Sequence, residues 1–329
     1  MIIAISQNPC SAYGEVDPTL GRQQRIKLVY YAYRPLNVLV MVGVEELASL
    51  DFVLWRRTGK QAARALGCNQ STISRRLGRC LEVFQLKMRR RRNEWDVPFS
   101  LLLQLERELH QHCRLLGHLP LRLEACPLTG PLLAHPLPEG WIGGCYDHIG
   151  VERPLQLLRN RVIDAWLCDA VDDLPPPAER LDLALHPLWR NPVALHAAPG
   201  HPLAGERALT STDLRSFPCL DIPAGAFEQS RSLLHGLGLD HRPTQLVNYS
   251  RTGWEERAED AITLLCFTPL NRLASPGLVP LDASAPFGNG GALLCHQDLA
   301  GHPPIQLLLE TLRWRLAQKS ATLPDLERL

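Results

Sequence analysis

Thr58-Gly59-Lys60-Gln61-Ala62-Ala63-Arg64-Ala65-Leu66-Gly67-Cys68-Asn69-Gln70-Ser71-Thr72-Ile73-Ser74-Arg75-Arg76 is the stretch on which the fold turns. Thr58 followed three residues later by Gln61 has the form of a capping box, in which the hydroxyl accepts from the Gln61 amide and the Gln61 side chain reaches back. The alanines that follow favour a short helix and permit close approach of a second one. Gly67 tolerates the left-handed conformation that ends a helix. Asn69 then caps a helix over Gln70–Leu81 with Ile73 and Leu77 on its inner face. Upstream, Glu45–Arg57 sets Leu47, Leu50, Val53 and Leu54 on one side, as an amphipathic helix requires. Two helices joined by a three-residue turn containing glycine predict a helix-turn-helix.

The charge distribution supports the same conclusion. The 329 residues carry 35 Lys+Arg against 34 Asp+Glu, a net charge of only +1. Between Arg56 and Arg92, however, twelve basic residues face Glu82 alone, so this block carries +11 and the rest of the chain −10. A solvated face mixes both signs, whereas a block of one sign points to nucleic acid. The outward residues of the second helix, Gln70, Ser71, Thr72, Arg75, Arg76 and Arg79, are types that reach base edges and phosphates. Thr58, Lys60 and the run Arg89, Arg90 and Arg91 complete the expected DNA-binding set.

Composition excludes several classes. A hydrophobic content of 45% with 21% charged residues fits a globular chain. The longest apolar stretch, around Leu36–Val44, falls far short of the roughly 18 residues of a membrane span. The N-terminus lacks the basic start and apolar core of a signal peptide, so a cytoplasmic location is expected. Ten scattered cysteines show no CxxC pair and read as small buried hydrophobes. No nucleophile elbow, phosphate-binding loop, HExxH or paired catalytic carboxylate occurs, so no enzyme, cofactor or metal is expected. Gly288-Asn289-Gly290-Gly291 reads as a hairpin loop.

Residues 1–40 hold turn formers without sustained periodicity and are expected to be a poorly ordered extension. Residues 41–97 form the DNA-binding head. Residues 98–118 read as a helix with Pro98 in its first turn and an apolar stripe of Leu102, Leu105, Leu109, His112 and Leu116, suited to pairing with another helix. From about 119, short apolar strands alternate with helices, which implies α/β units with ligands at strand ends.

The pattern Ala62-Ala63, Leu66, Gln70 and Ser74 resembles the LysR-type transcriptional regulators. The resemblance continues through Arg159-Asn160-Arg161-Val162-Ile163-Asp164-Ala165, Pro187-Leu188-Trp189, His201-Pro202-Leu203-Ala204 and Thr212-Asp213-Leu214. The wing departs from the family, with Met88-Arg89-Arg90-Arg91 where an apolar residue and a single Arg are usual.

The resemblance implies an all-α winged helix-turn-helix N-terminal domain, a linker helix that pairs between subunits, and an α/β effector domain over 119–320. That domain would hold two periplasmic-binding-protein-like subdomains, about 119–198 with 270–320, and 199–269. Leu128, Thr129, His201, Ser250, Arg251 and Thr252 are then expected to line a cleft for a small-molecule effector, with a carboxylate suiting the hydroxyls and the Arg. The implied partners are double-stranded promoter DNA, a second copy or three more as homodimer or homotetramer, and RNA polymerase. The alternative is a solute-binding module or redox sensor without sequence-specific DNA binding.

Overall fold

The computed structural model describes residues 42–91, 94–242, 249–250, 253–254, 264–274, 277–283, 288–323 and 325–329; the expected extension over 1–40, Arg251 and Thr252 lie outside them. The head begins with α1 (Val44–Arg56), α2 (Gly59–Ala65) and α3 (Gln70–Val83). Leu47, Leu50, Val53 and Leu54 of α1 are buried with Ala62, Ala63 and Ile73. Thr58 caps α2 by accepting from the Gln61 amide at 3.2 Å. The box is not reciprocal: the Gln61 carbonyl oxygen accepts from the Thr58 hydroxyl at 2.8 Å instead of reaching the backbone. Gly67 adopts φ +61, and the Cys68 amide returns to the Ala63 carbonyl at 3.0 Å.

The wing is a β-hairpin, so the head is not wholly helical. β1 (Arg89–Arg91) pairs antiparallel with β2 (Glu94–Asp96), with Arg90 opposite Trp95. Helix α4 (Leu101–Leu115) follows, capped by Ser100, which accepts from the Leu103 amide at 3.4 Å. Pro98 therefore precedes the helix; it fixes the approach of the chain while the serine supplies the acceptor that proline lacks.

The first α/β subdomain is built on a six-stranded sheet. Its strands are β3 (Leu121–Ala125), β4 (Trp141–Gly143), β5 (Ala165–Cys168), β6 (Leu183–Pro192), β12 (Gly288–His296) and β13 (Glu327–Arg328), in the order β13-β6-β12-β5-β3-β4. β3 runs parallel to β4 and β5, and β12 antiparallel to β5 and β6. The helices of this subdomain are α5 (Thr129–Leu133), α6 (Glu152–Arg159) and α10 (Pro303–Ser320). Leu308, Leu312 and Leu316 of α10 share its core with Leu123, Leu167 and Leu293.

The second subdomain holds β7 (Ala194–Ala197), α7 (Ser211–Arg215), β8 (Pro218–Leu220), α8 (Glu228–Gly236), β9 (Asp240–Arg242), β10 (Leu265–Phe267) and β11 (Val279–Pro280), while α9 (Pro269–Ala274) packs back on the first, with Leu270 buried in its core. One sheet has the order β10-β7-β11, and β8 pairs parallel with β9. A bridge from Cys219 to Leu264 joins the two sets. The chain crosses from β6 to β7 at Val193, earlier than the expected 198. It returns to the first core at Leu270 of α9, touches the second sheet again through β11, which pairs with β7, and enters β12 afterwards.

Gly288-Asn289-Gly290-Gly291 is strand rather than loop. It pairs with Pro192–Trp189 in β6, with a register shift after Gly291. The glycines are required by the neighbour. A Cβ at Gly291 would lie 2.0 Å from the Trp189 ring, and one at Gly290 would lie 2.9 Å from the Trp189 carbonyl oxygen. The indole lies across the strand where side chains would stand.

Candidate functional site

The first site is the outer face of α3 with the wing. Gln70, Ser71, Ser74, Arg75 and Arg79 are exposed and Thr72 is half-buried, while Ile73 is buried against α1. Asn69 takes the N-cap position with extended backbone but makes no side-chain cap bond. The α3 amides at that end therefore lack a side-chain acceptor from their own cap and face outward beside Gln70 and Ser71. Arg76 pairs with Glu45, and Arg79 with Glu46 at 3.5 Å, both from the first turn of α1. These pairs join α3 to α1 at the surface, while buried Ile73 and Cys80 set which face of α3 turns inward; Arg75 bonds its own helix at the Ser71 carbonyl oxygen. Lys60 and Thr58 stand at the start of α2. Arg89, Arg90 and Arg91 are all exposed, and Arg90 lies over the Trp95 ring at 5.5 Å. The arrangement can supply hydrogen-bonding side chains to a groove and guanidinium groups to flanking phosphates.

A buried ionic network ties this head to the rest of the chain. Asp51 of α1 is buried and accepts from Arg107 Nε of α4 at 2.8 Å and Arg122 of β3 at 3.0 Å. Asp164 accepts from Arg114 at 2.7 and 2.8 Å, from Gln111 at 2.9 Å and from the Arg122 amide at 2.8 Å. Trp55 donates its indole N–H to Glu124, and Arg57 pairs with Glu94 of the wing and Asp147 of the α/β domain. Burial pushes Arg122 down to about 10, with Arg114 adding repulsion and Asp51 opposing it. Burial also raises the Glu94 carboxyl, but the His148 hydrogen bond and the Arg57 charge outweigh it and hold Glu94 at about 2.

The linker helix thus turns its polar face inward. Arg107, Gln111 and Arg114 are buried, while Leu102 and Leu116 are 55% and 73% exposed and Leu105, Leu109 and His112 half-buried. The apolar stripe read from the sequence is the outward one. What composition could not reveal is that the opposite face has buried carboxylates waiting for it.

The second site is the cleft between the two sheets. A cavity of about 100 Å³ is lined from the first subdomain by Leu128, Asp169 and Asn289, and from the second by Phe227, Tyr249 and Trp254, with others between. Thr129, at the start of α5, is buried and donates to Asp169 at 3.1 Å, so it positions a wall residue without lining the cavity. Ser250 is exposed beside the lining Tyr249 and accepts from the Gly253 amide at 3.2 Å. His201 is buried in the second subdomain, accepting from the Leu203 amide at 3.1 Å and packing on Phe217; it is not among the lining residues. Asp169, Phe227 and Trp254 were missed, although an acid directly after the apolar strand Ala165–Cys168 falls at the strand end where such folds bind ligands.

Asp173 spans the cleft. Its carboxylate accepts from the Gln229 and Ser230 amides at 2.9 and 3.1 Å and from the Ser230 hydroxyl at 2.5 Å, at the N-terminus of α8. Among the described residues, two separate sets of side chains could each hold a metal ion, Asp221 with His235 and His241, and Glu108 with His112 and Asp298. In each a guanidinium already serves a carboxylate, Arg231 on Asp221 and Arg161 on Asp298, both at 2.9 Å. The described cysteines are free thiols, and burial raises those at 80, 219 and 295 to about 12, unlike an activated thiol.

A full-length OxyR variant from Pseudomonas aeruginosa is similar in fold, with a TM-score of 0.52, 15% identity, and coverage of 84% of this chain and 95% of that one. An H2O2-bound OxyR mutant of Corynebacterium glutamicum gives 0.47 at 15% identity, covering 85% and 94%. A probable transcriptional regulator of Pseudomonas aeruginosa gives 0.48 at 18% identity, covering 83% and 96%. No curated protein sequence matches the chain. No helix among the described residues is long and apolar enough to cross a membrane. The family model for the LysR substrate binding domain matches residues 148–317, more than half of the chain. That match falls on the two α/β subdomains, behind the separately described helix-turn-helix, and the chain belongs to the LysR-type transcriptional regulators.

Proposed function

We propose that the protein is an effector-responsive transcriptional regulator. In this reading Gln70, Ser71, Thr72, Arg75 and Arg79 of α3 read promoter DNA in the major groove, while Thr58, Lys60 and the wing arginines Arg89, Arg90 and Arg91 hold phosphates. The observation that carries it is the outward face of α3, where exposed Gln70, Ser71, Arg75 and Arg79 present amide, hydroxyl and guanidinium groups and the only acid of the helix is Glu82 in its last turn. The exposed stripe of α4 is the surface on which a second copy docks, giving a homodimer or homotetramer with paired reading heads. A small molecule enters the cleft, and closure there biases the head through the Asp51 and Asp164 network, altering DNA bending or contact with RNA polymerase in the cytoplasm.

The test is fluorescence anisotropy of full-length protein on its neighbouring promoter DNA. A sequence-preferring, salt-dependent Kd supports the reading; equal, weak binding to promoter and unrelated DNA defeats it.

A further inference from the structure

The cleft's electrostatics argue about the ligand's charge. Seven polar residues line the cavity, Asp169, Ser230, Tyr249, Trp254, Thr268, Asn271 and Asn289, and among the described lining residues none is basic. The described arginines nearby are engaged elsewhere: Arg231 pairs with Asp221 and Arg190 with Asp172, each at 2.9 Å. The natural receptor for an anion, the N-terminus of α8, is already filled by the chain's own Asp173 through three hydrogen bonds. A carboxylate ligand in the cavity would find the buried Trp254 indole N–H as a donor unpartnered among the described residues, but it would lie with Asp169 in the same small space, two negative charges in poorly solvated surroundings.

The opposite charge fits. Asp169 borders the cavity and receives a side-chain hydrogen bond from Thr129 at 3.1 Å. Burial without an adjacent cation raises its carboxyl above the ordinary range, against the hydrogen bonds from Cys126 and Thr129 that lower it. Asn271 turns a buried carbonyl oxygen that has no hydrogen-bond partner among the described residues, and it lines the same cavity. Phe227, Tyr249 and Trp254 line the same cavity, and aromatic rings attract cations electrostatically.

We infer that the effector is a small organic cation, an ammonium on a compact apolar or aromatic body, with Asp169 as its counter-charge and Asn271 as a further acceptor. A cavity of about 100 Å³ limits the enclosed part of the ligand to no more than a single ring, since an apolar cavity of about 150 Å³ admits benzene. The inference rests on the cleft being the effector site.

Calorimetry and thermal shift on the full chain, with benzylammonium, benzyl alcohol and benzoate as matched probes, test it. Benzylammonium is expected to bind at least tenfold more tightly than benzoate, and Asp169→Asn to cut ammonium affinity at least tenfold while sparing the alcohol. Benzoate binding as well as benzylammonium, an ammonium affinity unchanged in Asp169→Asn, or no ammonium binding at millimolar concentration each overturns the inference. Should Asp169→Asn not fold, the wild-type preference between the two charged probes decides.

Trp254→Ala separates the two levels. If it abolishes benzoate binding, the cleft stands as the ligand site while the charge assignment falls. If every probe binds Trp254→Ala unchanged, the cleft reading fails as well.

Discussion

Replacing Asp51 by alanine removes the carboxylate shared by Arg107 and Arg122, two guanidinium groups with almost no solvent access. Arg122 keeps its bond to the Val162 carbonyl at 2.8 Å and its place over the Phe52 ring at 4.9 Å. Arg107 keeps no comparable partner, and its charge would remain buried beside α1. Breaking a buried pair in this way costs about 3–5 kcal/mol, because the remaining ion is uncompensated. At roughly 2 °C per kcal/mol for a domain of this size, Tm should fall by about 6–10 °C.

The assay is thermal unfolding followed by circular dichroism, with Arg190→Ala as the control. The Arg190–Asp172 pair has the same kind of geometry but is about half exposed on the arginine side. It should shift Tm by no more than about 2 °C, the worth of a surface pair. A fall for Asp51→Ala no larger than that of Arg190→Ala would refute the reasoning: the head would then not be held to the α/β domain by a desolvated network.

Other substitutions test separate parts of the account. Gly291→Ala places a methyl against the Trp189 indole and should destabilise by about 1–3 kcal/mol, read as a lower urea midpoint with an unchanged slope. Glu94 is held below its ordinary value, so its contribution is complete above the unfolded pKa and is lost as pH falls from about 4.5 to about 2. Glu94→Gln should therefore be less stable than wild type at neutral pH, with the difference vanishing towards pH 2 in urea titrations; a pH-independent difference would show that charge is not the cause. Arg75→Ala should weaken promoter binding more than binding to unrelated DNA, whereas Arg90→Ala should weaken both alike and flatten the salt slope. Thr129→Ala should impair ligand response, measured as the ligand-induced change in promoter affinity, without altering the affinity of the ligand-free protein.

The helix-turn-helix was legible because its signals are local: a capping threonine, a glycine at a left-handed turn, and a buried isoleucine one turn into α3. β6 was not legible as a strand. Leu183–Pro192 contains Pro187 and Pro192, which argue against an inner strand, and only its pairing with β12 and the short β13 overrides them. The glycines of β12 likewise make sense only opposite Trp189. For α4 the periodicity showed an apolar face truthfully, but the carboxylates that bury the other face come from Asp51 and Asp164, far away in sequence.

In the cleft, the resemblance pointed to Leu128, which lines the cavity, and to Thr129, which bonds the wall residue Asp169. It could not show that Asp169 supplies a wall or that Asp173 already holds α8, since both depend on contacts between residues far apart in the sequence.

DNA reading by α3 and the wing stands or falls with the affinity of the full-length protein for promoter DNA across a salt series. A nanomolar Kd is expected for the promoter, loosening steeply with salt at about 0.9 per phosphate contacted, with a much weaker Kd for unrelated DNA. An affinity indifferent to both salt and sequence would mean that α3 and the wing do not read DNA.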